Sequence, residues 1–137
     1  MRILALDHGT VRVGVAVSDE LKMIARPLEF IPAEPFPEFA ERLKTLIRDQ
    51  QVDLIVVGLP RNMDGTYGEA AAKVRVFVAA LKDVILIPIR TWDERLTTVS
   101  ASKALRSGGT KAVNQKDKID AAAAAVLLQS YLDSLSL

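Results

Sequence analysis

Three carboxylates far apart in the chain, Asp7, Glu94 and Asp120, stand where the sequence pattern expects chemistry. Asp7 closes the apolar run Ile3 to Leu6, whose lack of alternation predicts a strand buried on both faces. Glu94 follows another expected strand. In parallel α/β sheets ligands gather outside the carboxyl ends of strands, so both acids are expected at one edge. Asp120 follows Ile119 on the expected buried stripe of the last helix, and Ala121 to Ala125 are all alanine. Alanine is the best helix former, which alone explains the run. Small side chains also let a helix lie close to a sheet, as a short Asp needs in order to reach the other two. Asp117, three residues earlier, could supply a fourth ligand. Crowded carboxylates repel, and an apolar floor makes that worse. A divalent cation resolves the conflict: Mg²⁺, or Mn²⁺ in its place, prefers oxygen ligands and bridges carboxylates to phosphates. Two ions about 4 Å apart with substrate bound would suit in-line attack of water on a phosphodiester.

Other residue types offer less. There is no cysteine, hence no disulfide and no thiolate ligand or nucleophile, and His8 is the single histidine. His8, placed in the turn after Asp7, is expected to project away from it with a neutral surface role rather than to act as a base. Asp7 itself has a plainer reading as a turn cap. Asp93 is expected to cap or turn the chain, and Trp92 to pack beneath the site.

These acids need a frame. Gly9 is expected to turn the chain with positive φ, so that Arg12 to Val17 returns as a second strand beside the first. Asp19 and Glu20 make a turn, and Met23 to Ile31 reads as a third strand, placed at a sheet edge by Pro27. Pro35 and Pro37 introduce a helix with Phe39, Leu43, Leu46 and Ile47 on one stripe. Leu54 to Gly58 reads as an interior parallel strand. The polar loop Leu59 to Gly68 leads to a helix burying Val74, Phe77, Val78 and Leu81. Val84 to Ile89 is expected as the fifth strand, at an edge because of Pro88. Thr91 to Thr98 passes into a helix stopped by Gly108 and Gly109. The last helix begins near Gln115 and buries Ile119, Ala122, Ala123, Val126, Leu127 and Tyr131. The fold class that follows is α/β: a five-stranded mixed sheet of order 3-2-1-4-5 with helices on both faces.

The 137 residues, half of them apolar, suffice for one domain spanning 1–137. No apolar run approaches the roughly 18 residues of a membrane span, and no signal-peptide pattern opens the chain, so a soluble cytoplasmic protein without membrane contact is expected. A net charge of +1 does not announce nucleic acid. The charge is uneven, however. Arg95 to Lys118 holds six bases (Arg95, Lys103, Arg106, Lys111, Lys116, Lys118) against Asp117, a segment that ordinary surface solvation also explains.

The residues as a set resemble a known family. Asp7-x-Gly9-x-x-Arg12-x-Gly14-x-Ala16-x-Ser18-Asp19, Gly58-Leu59-Pro60-x-Asn62-Met63-Asp64-Gly65, Asp93-Glu94-Arg95-Leu96-Thr97-Thr98, and Ile119-Asp120-x-x-Ala123-Ala124 with Gln129 and Tyr131-Leu132 are similar to the YqgF (RuvX) family. Its members are Holliday-junction-resolvase-like nucleases of the ribonuclease H superfamily. The resemblance spans nearly the whole chain. It implies a ribonuclease H-like fold, a bacterial cytoplasmic role in maturing the 5′ end of pre-16S rRNA in ribosome biogenesis, and Asp7, Glu94 and Asp120 as an acidic triad. Arg12, Arg61, Asn62, Arg95 and Thr97 are motif or loop positions suited to phosphates, and Lys116 and Lys118 extend the basic segment.

Two other functions compete. The first motif also opens the phosphate loops of sugar kinases and Hsp70-like ATPases, but those close two domains around a nucleotide, and no Walker lysine motif is present. A nucleic-acid-binding or ribosome-assembly factor with little catalysis is the other. One Trp, two Tyr and four Phe make a poor stacking platform without excluding recognition of shape. RNA against DNA, a junction-resolving role, and a monomer against a weak homodimer all stay open.

Overall fold

The computed structural model describes residues 1–9, 11–60, 67–93 and 115–135, with 115–121 as helical backbone only. One sheet contains β1 (Arg2–His8), β2 (Arg12–Ser18), β3 (Ala25–Pro32), β4 (Val52–Leu59) and β5 (Ile89–Asp93), in the order β3-β2-β1-β4-β5. The β1–β2 and β2–β3 pairs are antiparallel, and β1–β4 and β4–β5 are parallel. This is the order the sequence pattern predicts. Helices α1 (Phe36–Gln50) and α2 (Glu69–Val84) make the crossovers to β4 and β5, and α3 (Gln115–Leu135) follows.

Side chains alternate across a strand, which divides the core in two. Leu4 and Leu6 of β1 pack with Phe39, Leu43 and Leu46 of α1 and Val74, Phe77, Val78 and Leu81 of α2. Ile3 and Ala5 pack on the other face with Ala124, Leu127, Leu128, Tyr131 and Leu132 of α3. The apolar run of β1 thus reflects burial on both faces. The expected helix stripes hold for α1 and α2, apart from Ile47, which is only partly buried.

Three expectations fail in detail. Val84 to Ile89 is not the fifth strand: Val84 ends α2, the Ile85 N–H bonds to the Leu81 carbonyl at 2.8 Å, and Leu86 is fully exposed. The ladder starts at Ile89, opposite Ile55, so Pro88 precedes the edge strand and its carbonyl accepts the Ile55 N–H at 3.0 Å. An apolar run cannot by itself separate a helix end and loop from a strand. The third strand begins at Ala25 rather than Met23, because the Asp19 carboxylate takes the Met23 and Ile24 N–H groups at 2.8 and 3.0 Å. Pro27 does lie on an edge strand, opposite Ala16, where the register shifts.

The third failure concerns α3. Its buried residues are Ala124, Leu127, Leu128, Tyr131 and Leu132, whereas Ala122, Ala123 and Val126 are only partly buried. An alanine run has no large side chains to mark a face, so the period cannot be phased from it. The helix expected between Thr98 and Gly108 lies outside the described residues. Among the described residues no helix is long and apolar enough to cross a membrane.

Candidate active site at the strand ends

Asp7 is the penultimate residue of β1, flanked by β2 and β4 at the centre of the sheet. Alternation puts it with Ile3 and Ala5 on the α3 face. Its cross-strand partner is Gly14, and Gly14 in turn faces Phe30 of β3. A glycine there leaves the space beside the carboxylate unfilled by a side chain. Arg12, two residues from Gly14 on the same face, lays its guanidinium over the Phe30 ring at 4.5 Å from the centroid. An arginine and a partly buried aspartate therefore share one face at the strand ends. The pair suits a phosphate ester, with a cation to bind it and a hard oxygen donor to hold a metal.

Gly9 shapes this corner differently from expectation. Its φ lies outside the left-handed region, and a Cβ at that position would stand 2.6 Å from the Arg12 carbonyl oxygen. The same oxygen accepts the Gly9 N–H at 3.0 Å. Close approach of two backbones, not a positive φ, demands the glycine.

His8 departs from expectation as well. It is the last residue of β1, not a surface turn residue, and it points to the α1–α2 face, with its ring 4.4 Å from that of Phe77. Burial lowers its pKa, against the raising effects of Asp7 and Glu34 and with help from Lys73. The expected projection away from Asp7 holds.

The α3 face is tied to the sheet by side chains inside and outside the motifs. Trp92 packs edge-on against Tyr131, centroids 5.3 Å apart, and its indole N–H donates to Ser130 Oγ at 3.1 Å. Arg90 donates to the Tyr131 hydroxyl at 3.2 Å, so the even-numbered positions of β5 face α3. Gln129 accepts the Ala25 N–H and donates to the Met23 carbonyl, both at 2.9 Å, clasping the start of β3. Buried Ser18 accepts the Ile3 N–H and donates to the Asp19 carbonyl, both at 2.9 Å. The motif flags Gln129 and Ser18, but their clamping roles have no signal in sequence.

Of the triad, Asp7 alone has a described side chain. Asp120 and Asp117, with Lys116 and Lys118, lie within the backbone-only part of α3. Glu94, Arg95, Thr97, Arg61 and Asn62 fall outside the described residues, Glu94 directly after the last residue of β5. Asp93 ends β5 opposite Leu59. Among the described residues no three ligating side chains gather.

A family model described as Holliday junction resolvase, RuvX, matches residues 1–134. The chain belongs to the RuvX family. A RuvX relative from Desulforamulus reducens, named as a candidate pre-16S rRNA nuclease, is 45% identical over 134 residues, covering 98% of each chain. One from Roseiflexus with the same name is 46% identical over 133 residues, covering 97% of this chain and 94% of its own. Both descriptions are of nucleases. In fold, the RuvX chain is similar to Thermus thermophilus RuvC in complex with a Holliday junction, with a TM-score of 0.64 at 17% identity, covering 99% of this chain and 96% of that one. The fowlpox virus resolvase bound to junction DNA follows with a TM-score of 0.59 at 13% identity, covering 98% and 99%. At those identities the likeness concerns the fold, which is the ribonuclease H-like sheet described above.

Proposed function

We propose that the protein is a cytoplasmic, divalent-metal-dependent nuclease that acts as a single domain on precursor rRNA, trimming the 5′ end of pre-16S rRNA. The observation that carries this reading is the place of Asp7: the end of the central strand, on the face that α3 covers. Glu94 follows a strand whose alternation assigns Arg90 and Trp92 to that same face. Asp7, Glu94 and Asp120, with Asp117 in support, would hold Mg²⁺ or Mn²⁺, two ions when substrate is bound. Asp7 fits such an ion because it is a hard oxygen donor, with the one histidine turned to the opposite face. When bound, the metal lowers the pKa of its water and offsets charge on the leaving oxygen.

The chain's own residues do the rest. Arg12 would hold the phosphate, with Arg61, Asn62, Arg95, Thr97, Lys116 and Lys118 as further candidates to bind the nucleic acid, and Asp7 would orient the attacking side. Hydrolysis adds water across one P–O bond, leaving a phosphate on one product and a hydroxyl on the other. The relatives' name supports RNA as substrate, whereas the family description supports a DNA junction as the second reading.

The test is cleavage of a defined precursor 16S rRNA fragment and of a four-way DNA junction, with and without Mg²⁺, by the natural protein and by Asp7→Asn. RNA cleavage that needs the metal and disappears in Asp7→Asn is expected. Preference for the junction would select the second reading. RNA binding without metal and no turnover of either substrate would leave an assembly factor.

A further inference from the structure

On the α1–α2 side of the same strand ends lies a groove of about 810 Å³ that the proposed hydrolysis does not use. His8 and Gly9 of the first hairpin, Pro60 after β4, Glu34 and Phe36 before and at the start of α1, and Glu69, Lys73 and Phe77 of α2 line it. Its volume is in the range of small-molecule sites, and its walls are mainly apolar and aromatic with a few polar groups, the composition of a ligand pocket. It opens beside the catalytic edge, because His8 directly follows Asp7 in β1. We infer that this groove receives an unstacked nucleobase bearing an exocyclic amino group, from a nucleotide next to the one whose phosphate lies at Asp7.

Charge decides between occupants. Glu34 and Glu69 outweigh Lys73, so the groove disfavours a phosphate, and the backbone stays on the Arg12 side of the strand ends. A purely apolar ligand would leave the exposed Glu34, Glu69 and Lys73 at its rim unused. A neutral base satisfies both requirements: its π face meets the partly exposed His8 and Phe36 rings, which both pack on the buried Phe77 ring, and its amino group donates to a carboxylate. Single-stranded RNA is read in this way, by bases splayed onto aromatic side chains.

This inference rests on Asp7 marking the position of the phosphate, so its test reads binding, not turnover. Val76 lines the groove from an exposed position on α2, and Val76→Trp fills it without touching the core. Single-stranded RNA carrying 2-aminopurine is titrated without divalent metal against the natural protein and Val76→Trp. The natural protein should raise 2-aminopurine fluorescence at one position of the strand. Val76→Trp should abolish that rise and weaken binding by about ten-fold, the scale of one lost base stack. Replacing the amino group at that position by hydrogen, using purine riboside, should weaken binding to the natural protein and leave Val76→Trp unaffected. Unchanged affinity and fluorescence in a folded Val76→Trp would overturn the inference, as would unchanged RNA affinity accompanied by lost co-sedimentation with ribosomal particles, which assigns the groove to a protein. A lost fluorescence rise in Val76→Trp alongside a natural protein that cleaves nothing would keep the groove and remove the nuclease.

Discussion

Replacing Gly9 by alanine tests the geometry of the site most directly. The new Cβ would lie 2.6 Å from the Arg12 carbonyl oxygen, whereas real Cβ contacts essentially never fall under 3.0 Å. The neighbour is backbone and cannot swing aside, so the turn must open by at least about 0.4 Å, from 2.6 to 3.0 Å. The oxygen that has to retreat is the acceptor of the Gly9 N–H at 3.0 Å, so that bond lengthens and weakens. A lost hydrogen bond is worth roughly 1 kcal/mol, and the remaining backbone strain adds about as much again. The expected destabilisation is therefore about 2 kcal/mol, or roughly 6–8 °C in Tm for a chain of this size. Asp7 is two residues away on the same hairpin. Displacements approaching 1 Å can cost on the order of 100-fold in rate, so cleavage should fall by about ten-fold or more even where the variant is fully folded. Urea denaturation and single-turnover cleavage at 25 °C measure the two effects. A Gly9→Ala protein with the natural midpoint would refute the steric reasoning. One that is destabilised but cleaves normally would show that this turn does not set the position of Asp7.

Ser18→Ala leaves the Ile3 N–H without its buried partner and should cost about 1–3 kcal/mol in urea unfolding, far more than the small change in volume suggests. Gln129→Ala removes the clasp on Met23 and Ala25; a loss of roughly 1–2 kcal/mol and faster amide exchange at Ala25 are expected, and unchanged exchange would count against the clasp. The Asp19 carboxylate has its pKa lowered chiefly by the Ile24 N–H, then by that of Met23. A depressed acid contributes stability above its unfolded pKa and loses it as pH falls through the folded one. Asp19→Asn should therefore be less stable than the natural protein at pH 7, and the gap should close as pH drops below about 4; a gap that is constant with pH would exclude the charge as its source.

Much of this molecule is legible in its sequence. Period-two and helical spacing suffice for the order β3-β2-β1-β4-β5, because burial on both faces demands the unbroken run before Asp7, and prolines are excluded from central strands. The faces of α1 and α2 are legible because large side chains mark them. Spacing could not phase α3, whose alanines carry no size signal, nor separate the end of α2 from β5 in an evenly apolar run. Tertiary structure alone decided those. It also gave Gly9 its reason, a carbonyl three residues on, and Gln129 and Ser18 theirs, main-chain groups more than 100 and 15 residues away in the chain respectively. The division between neighbours Asp7 and His8 shows both sources at work. Alternation along a strand sends consecutive side chains to opposite faces, but only the packing of α2 on one face and α3 on the other sets His8 in an aromatic groove and Asp7 on the side that α3 covers.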